Sequence, residues 1–415
     1  MRGLRDLVRG LKTCEIVDLS LLALAAVMLP YVWNLSFWCL ILLSINAIVK
    51  VCNARRVGNT SLTTLGHWSL WMGVGYVAIC AISLFYTDNM QRGVLDTLGK
   101  CTFLFPLFAF LISDFSYLKK NHLKAILYLF TAALILRFLL RFVIMLHAIH
   151  NGANLSSCLD AAFDPETHHS YVSMYVLIAL VFLILEMIEL PVKYKLLYGF
   201  ASLLLVGYLL CIQSRAGLLC LVIIALIALV MYVFIRKKYI FGLIAFFAAI
   251  IVLWSISRVM PDSQTRLLST IEAVMKGQRT DDRFAITKGA VYAIKENMPW
   301  GTGIGDRMDE LIKAYQIVKV EKPYEHKYNP HNQFMDTLLS EGILGLAVLM
   351  AMIFLPFIEA VGKHNWLLLF FLIIVTISAC FESVFERQMG EIYFSLFLVL
   401  FLLPQVNFSE FSIAE

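Results

Sequence analysis

Long apolar runs separated by short polar links recur along almost the whole chain. With about 20 residues for each membrane crossing, the pattern predicts twelve helices, and the polar segment 257–341 is the one long interruption. The predicted ranges are 16–33, 35–51, 66–86, 97–113, 122–147, 170–188, 195–212, 216–235, 239–256, 342–360, 365–381 and 391–405. Runs of this length exceed the roughly 10-residue strands of membrane barrels. We therefore expect an all-α polytopic membrane protein with one integral-membrane domain over residues 1–415.

The basic residues of the short links are divided unequally between the two sides of the membrane. Cytoplasmic loops are enriched in Lys and Arg. One set of alternate links, from Arg55 to Lys363, holds nearly all of them, whereas the other set holds little more than Arg92, Arg215 and Arg387. This pattern predicts that both termini are cytoplasmic and that the long polar segment lies outside.

Composition supports the membrane class and excludes several others. Hydrophobic residues make up 60% and charged residues 15% of the chain, against about 45–50% and about 25% in soluble domains. The net charge of +5 comes mostly from residues beside helix ends, so we read it as a topology signal and expect no nucleic-acid partner. The nine cysteines are scattered without a CxxC pair, so no metal site and no disulfide framework is implied.

The long polar segment carries helical signals of its own. Residues 281–297 show the apolar spacing of a helix, and Asp281 or Asp282 can cap its start. Residues 299–305 contain one proline and three glycines, which predicts a tight turn or an open loop. Pro330 predicts the start of a further helix. We therefore expect an ordered, partly helical loop between the ninth and tenth membrane helices.

His331 is the first candidate for chemistry. It stands where the long polar segment runs into an apolar span, near the predicted outer face of the membrane. With an ordinary pKa of about 6.5, a histidine there is largely neutral and can accept a proton from a hydroxyl group. The alternative is an interfacial histidine that caps the helix or contacts lipid headgroups.

Three arginines mark possible sites for an anion. Arg215 lies in a very short link on the predicted outer side, where arginine is depleted, and its planar guanidinium suits a phosphate. The alternative is a side chain that reaches the lipid headgroups. Arg279 and Arg283 stand one turn apart and can face the same site. For these two, the alternative is a surface ion-pair cluster with the neighbouring aspartates.

Two further groups of residues lie in or beside the predicted spans. Arg137 and Arg141 share one face of a membrane helix and either attract a diphosphate or hold the bundle together, and we slightly favour the second interpretation. His168 and His169 precede Tyr171 at the start of the next span, where they can line a binding pocket. A metal site is less expected there, because no third ligand stands at a useful spacing.

Three glutamates lie in or beside the link before the last span. Glu382 and Glu386 lie in the link, and Glu391 lies at the edge of the span. They either form a polar wall of a site or an ion-pair cluster with Arg387, and the second interpretation is favoured. None of these acids carries a specific catalytic signal.

Three sets of residues carry a resemblance to a known family. They are Ser-Arg-Ala-Gly at 214–217, Arg283 with the following helical stretch and the Pro-Trp-Gly-Thr-Gly-Ile-Gly turn at 299–305, and Pro-His-Asn at 330–332 leading to Glu-Gly-Ile-Leu-Gly-Leu at 341–346. In this order, over roughly residues 200–350, they resemble the O-antigen ligase and O-antigen polymerase superfamily of membrane glycosyltransferases. One departure is Gly289, near which relatives often have a tryptophan.

The resemblance implies a metal-independent, inverting glycosyl transfer without a cofactor, at the periplasmic face of the bacterial inner membrane. The donor would be an undecaprenyl-diphosphate-linked glycan, and the acceptor a hydroxyl of the lipid A-core oligosaccharide, both among membrane lipids. His331 would be the general base, while Arg215 and Arg283 would bind the diphosphate. Further candidates for the donor or acceptor pocket are Arg137, Arg141, His168, His169, Tyr171, Arg279 and Asn332.

Three other functions remain open. An O-antigen or capsular polysaccharide polymerase would use the same donor with a lipid-diphosphate-linked acceptor. A protein O-glycosylation ligase ranks lower, because those chains usually carry a sizeable extra C-terminal domain. A transporter of polyprenyl-linked glycans would be expected to show repeat halves and broken helices, and neither is visible here.

Overall fold

The computed structural model describes residues 7–56, 68–154, 159, 168–236 and 282–403, and within those ranges regular structure is entirely helical. Three short 3₁₀ turns lie at Leu84–Tyr86, Cys101–Phe103 and Val384–Glu386. The α-helices are α1 Thr13–Met28, α2 Trp33–Arg56, α3 Trp68–Ser83, α4 Met90–Lys100, α5 Leu104–Ile112, α6 Lys120–His150, α7 His169–Glu189, α8 Val192–Ile212, α9 Arg215–Arg236, α10 Asp282–Asn297, α11 Arg307–Ile317, α12 Glu321–His326, α13 Gln333–Gly362, α14 Trp366–Phe381 and α15 Gln388–Phe401.

In the part of the chain that the structure describes, seven helical segments are long and apolar enough to cross a membrane. They are Trp33–Ala54, Trp68–Tyr86, Met90–Ile112, Lys120–His150, His169–Ile188, Val192–Ile212 and Gln333–Gly362. Shorter apolar helices span Ala216–Ile227, Trp366–Phe381 and Gln388–Phe401. The predicted all-α, multi-pass class is confirmed. The predicted count of twelve is not, and the predicted helix 239–256 lies outside the described residues.

The span predicted at 97–113 begins earlier and is interrupted. It runs from Met90 to Ile112 as α4, a 3₁₀ turn and α5. Asn89 caps its start, because its side-chain oxygen accepts a hydrogen bond of 3.3 Å from the backbone N–H of Arg92. The polar residues of α4 lower the local hydropathy, which is why the sequence pattern placed the start too late.

The helix predicted at 342–360 is also longer than expected. α13 begins at Gln333 and continues through Gly342, where the backbone leaves the helical region with φ 68° and ψ −160°. The helix begins three residues after Pro330, and Asn332 provides the N-terminal cap, since its side-chain oxygen accepts the backbone N–H of Met335 at 3.0 Å. One helix therefore joins the end of the long polar segment to the apolar span that follows it.

The turn at 299–305 packs against this interruption of α13. The N–H groups of Thr302 and Gly303 donate to the carbonyl oxygens of Leu339 and Ser340 at 2.8 and 2.9 Å. On the other side of the interruption, Ile343 donates to the carbonyl oxygen of Pro299 at 2.9 Å. The predicted turn thus supplies the hydrogen bonds that the interrupted helix cannot make within itself.

Gly342→Ala is expected to lower the free energy of unfolding by about 3 kcal/mol or more, because only glycine readily adopts this backbone conformation. An added Cβ would also collide with the carbonyl of Pro299. The control is Gly362→Ala in the last turn of the same helix, where an added Cβ meets no atom within 4 Å. Thermal unfolding in detergent measures both variants. Equal stability of the two would contradict the structural role of Gly342.

Two apolar cores stabilise the chain. The larger one lies around α7, the most buried of the seven candidate spans, and α15, which is buried from Met389 to Phe401. The smaller core joins α10, α11 and the first half of α13 through residues such as Ile286, Leu311 and Leu339. The predicted helix at 281–297 is confirmed as α10. Gly289 lets α10 approach the ring of Tyr315 in α11, so a large side chain has no space there.

Candidate active site

His331 is held from two sides just before α13. Its Nδ1 lies 3.1 Å from Oε1 of Glu382, which follows α14, and its backbone N–H donates to the side-chain oxygen of Asn329 at 3.0 Å. The backbone φ of His331 is +46°, a conformation that non-glycine residues adopt uncommonly. An ionised carboxylate accepts the proton on Nδ1 and leaves the lone pair on Nε2. A general base needs this tautomer, so the geometry is compatible with the role predicted for His331.

Glu382 is buried between the two histidines of the site. Its Oε2 lies 3.8 Å from Nδ1 of His168 and accepts a long hydrogen bond of 3.4 Å from Ser170. Burial would raise the pKa of Glu382, but the hydrogen bond from His331 and the charges of His331 and His168 lower it below its ordinary value. Glu382 is therefore ionised at neutral pH. The stability that this lowered pKa contributes is present above the unfolded-state pKa and is lost as pH falls through the folded-state pKa.

The Ser-Arg-Ala-Gly motif anchors the start of α9 to α7. Ser214 caps α9, because its Oγ accepts the backbone N–H of Gly217 at 3.1 Å, and its hydroxyl also lies 3.2 Å from that of Ser173. Gly217 is required by the close approach, since an added Cβ would lie 2.6 Å from the Cβ of Ser173. The start of α9 thus lies about one turn of α7 from Ser170, a partner of Glu382. The side chain of Arg215 lies outside the described residues.

Arg283, near the start of α10, contacts the last residue of α14. The central carbon of its guanidinium is 5.4 Å from the ring centre of Phe381, a cation–π contact. Phe381 directly precedes Glu382 in the chain. The structure therefore brings Arg283 against the residue that precedes Glu382, the partner of His331, whereas Arg279 lies outside the described residues.

The other predicted pocket residues divide into two groups. His168 stacks on His169 with ring centres 4.2 Å apart and reaches Glu382, and Tyr171 is buried with its hydroxyl 3.5 Å from the carbonyl of Ser383. Asn332, by contrast, caps α13 and donates to the carbonyl of Cys380 at 3.1 Å. These two bonds hold the start of α13 against the end of α14.

Arg137 lies inside the helical bundle. It is 4% exposed, and its guanidinium carbon is 5.9 Å from the ring centre of Tyr31 in the connection between α1 and α2. Arg141, one turn later, is partly buried on the same helix. These contacts agree with the bundle-stabilising interpretation that the sequence slightly favoured.

A buried charge network beside His331 was missed by the sequence analysis. Arg307 in α11 donates to Asp336 in α13 and, at 3.1 Å, to Glu386. Glu386 also accepts a hydrogen bond from the side chain of Asn329, the residue that holds the backbone of His331. The network therefore continues directly into the support of the predicted base.

The favoured interpretation of the glutamates as a cluster with Arg387 is wrong. Glu382 pairs with His331, Glu386 with Arg307, and Glu391 with Lys100 of α4 at 3.1 Å. The signal available in the sequence was the position of Lys100 and Glu391 within apolar helices, where ionisable residues are costly and usually have a partner.

No group of three or more His, Cys, Asp or Glu side chains is placed to hold a metal ion within the ranges that the structure describes. Among the described side chains, Arg307 lines a cavity that His331 also lines, and Arg283 contacts Phe381, the neighbour of Glu382. What the arrangement offers is a histidine with a free ring nitrogen, an acid that orients it and a nearby guanidinium. That set can remove a proton and bind an anion.

Comparison with known proteins agrees with the motifs. A family model described as O-Antigen ligase matches residues 200–350, which include Arg215, Arg283 and His331. A protein of Haemophilus influenzae strain Rd, described as an uncharacterized protein, is 27% identical over 299 residues, covering 64% of this chain and 73% of the relative. The family match over residues 200–350 confirms the resemblance to the O-antigen ligase superfamily seen in the sequence.

Proposed function

We propose that this protein is an O-antigen ligase. It transfers a glycan from undecaprenyl diphosphate to a hydroxyl of the lipid A-core oligosaccharide, at the periplasmic face of the inner membrane and with both termini in the cytoplasm. The observation that carries the proposal is the His331–Glu382 hydrogen bond of 3.1 Å, with Arg283 against the residue next to Glu382. The family match over residues 200–350 supports the same class of reaction.

The reaction needs one proton acceptor and one anion site. Nε2 of His331 takes the proton of the acceptor hydroxyl as its oxygen attacks the anomeric carbon from the face opposite the diphosphate. The new carbon–oxygen bond forms as the bond to the diphosphate breaks, and the electron pair leaves with undecaprenyl diphosphate. The anomeric configuration is therefore inverted. Glu382 stabilises the imidazolium that His331 becomes, as the acid of a catalytic triad does.

The leaving diphosphate is bound by fixed positive charge in this proposal. Arg283 presents a guanidinium beside the site, and the start of α9 adds the N–H groups and the dipole of a helix N-terminus, next to Arg215. Preorganised donors of this kind stabilise the charge that develops on a leaving group. They supply what a metal ion supplies in other transferases, so the proposed reaction is metal-independent.

Arg283→Ala is expected to lower transfer by about 10–100-fold, because a charge-assisted contact to the leaving diphosphate is lost. Lys295→Ala is the matched control, since Lys295 is an exposed cation on the same helix, α10. Transfer is measured with purified protein, undecaprenyl-linked glycan and lipid A-core. Equal transfer rates for the two variants would contradict the assignment of Arg283 to the donor site.

The gel profile of surface lipopolysaccharide in a strain that lacks the gene tests the function itself. Bare core, with long glycan accumulating on the polyprenyl carrier, is the result expected for a ligase. Core capped by a single repeat unit would instead identify a polymerase of the same superfamily, the main alternative. An unchanged ladder would overturn the proposal, and transport of the lipid-linked glycan or capsule synthesis would become the better explanation.

A further inference from the structure

A cavity of about 700 Å³ adjoins His331, within the range of about 300–1,000 Å³ that is usual for small-ligand pockets. We call it the charged cavity. Its walls come from α4, α11, the first half of α13 and the segment from Glu386 to Glu391. His331 is part of the wall, but Arg283 and Glu382 are not among the described residues that line it. The charged cavity is therefore a separate space from the proposed diphosphate site, and the two meet at His331.

The charge balance of the cavity wall does not suit an anion. Five cations and five carboxylates line it, and most of them are already paired with one another. Arg307 is bonded to Asp336 and Glu386, and Lys100 to Glu391. The cations are Arg92, Lys100, Arg307, Lys327 and Arg387, and the acids are Asp96, Asp336, Glu341, Glu386 and Glu391. A diphosphate would find no surplus of positive charge here, whereas a neutral polar ligand would find many hydrogen-bonding groups.

Several of these groups have unused hydrogen-bonding capacity. Oε2 of Glu341, Oδ1 of Asp336 and Nε of Arg307 are buried and have no hydrogen-bond partner among the described residues. Their side chains belong to residues that are only 4%, 3% and 7% exposed. Buried polar atoms normally have partners, so each such atom calls for an explanation. All three residues line the charged cavity.

Sugar hydroxyl groups match this mixture of groups. A hydroxyl donates one hydrogen bond and accepts two, so it can bind a carboxylate and a guanidinium at once. The ring of Tyr328, with its centre 5.9 Å from that of His331, adds a flat apolar wall next to the predicted base. A saccharide bound against this wall would place a hydroxyl within reach of the imidazole.

We propose that the charged cavity is the acceptor site, where the buried carboxylates and Arg307 bind a neutral, polyhydroxylated saccharide and present one of its hydroxyl groups to His331. The donor diphosphate binds on the other side of His331, near Arg283. This inference rests on the proposed function, and it adds the place and the chemical class of the acceptor.

Glu341→Gln and Asp96→Asn test the acceptor site. Both residues line the cavity, and the partly exposed Asp96 can be changed with little risk to folding. Each variant is expected to weaken binding of purified core oligosaccharide by about 10-fold, the effect of losing one hydrogen bond to a charged group. Binding of undecaprenyl diphosphate is expected to stay within about 2-fold, because none of its proposed contacts is touched. Glu325→Gln, an exposed acid outside the cavity, is the matched control.

Binding is measured separately for the two ligands with full-length protein in detergent. The acceptor site is overturned if both variants bind the oligosaccharide as the wild type does, or if they weaken undecaprenyl diphosphate binding to the same extent. Transfer by the wild-type preparation is measured alongside. Intact transfer together with unchanged oligosaccharide binding in the variants rejects only the acceptor site. Absence of both transfer and oligosaccharide binding in the wild type rejects the proposed function and the acceptor site with it.

Discussion

Replacing His331 with alanine is expected to lower glycan transfer by about 10²–10⁴-fold, the contribution of a positioned general base. The thermal stability of the protein should change little, since the imidazole is about 30% exposed and makes one side-chain hydrogen bond, to Glu382. Initial rates with purified protein, at saturating donor and acceptor, measure the effect. His364→Ala is the control, because this exposed histidine lies in the connection between α13 and α14.

Glu382, the partner of His331, provides a second test of the proposed base. Glu382→Gln removes the charge that stabilises the imidazolium, so a large loss of transfer is expected that is nevertheless smaller than that of His331→Ala, as for the acid of a catalytic triad. The double variant should be no worse than His331→Ala alone, because the two residues act as one unit. Full activity of His331→Ala would exclude His331 as the base. Multiplied losses in the double variant would separate Glu382 from it.

Replacing Arg307 with alanine is expected to lower the free energy of unfolding by about 3–5 kcal/mol, the usual cost of removing one partner of a buried ion pair. The variant leaves Asp336 and Glu386 without their cation. Although burial lowers the pKa of Arg307, these two carboxylates raise it above its ordinary value, so the guanidinium is charged in the folded state. Thermal and denaturant-induced unfolding in detergent measure the loss.

Two further variants decide whether charge is the cause. Lys313→Ala removes an exposed cation from the same helix, α11, where its pair with Glu310 is on the surface, and should leave the stability close to that of the wild type. Asp336→Asn, added to Arg307→Ala, should recover part of the lost stability because it removes one unpaired buried charge. A double variant that is still less stable than Arg307→Ala would show that lost packing, not charge, dominates.

The sequence was informative about elements and motifs. Apolar runs located five of the seven described candidate spans to within three residues, and the order of the three motifs located the family region. The interruption at Gly342 could not be read in the same way, because its hydrogen bonds come from the turn at 299–305. Hydropathy likewise missed the start of α4, because the first residues of this helix are polar. The helix nevertheless begins there, after the cap at Asn89.

The sequence predicted the site residues that lie in motifs, but not the partners that the fold brings to them. His331 and Arg283 stand in motifs, and a motif is local. Glu382 is 51 residues from His331 in the chain, and only the packing of α13 against α14 reveals that they are partners. A charge in a sequence has many possible partners, and nearby ones such as Arg387 are the natural first choice. Residues that act through long-range pairs therefore need the fold to identify them.

The interruption of α13 has a consequence for how the protein is expected to respond to its lipid environment. The turn at 299–305 follows directly after α10 and is bonded on both sides of Gly342, while His331 directly precedes α13. The helix that carries Arg283 and the loop that carries His331 are thus connected through these hydrogen bonds and through a shared apolar core. Membrane helices tilt when bilayer thickness changes. We expect such tilting to move these elements together, so that lipid composition changes the access of substrates to the proposed site more than the separation of His331 and Arg283.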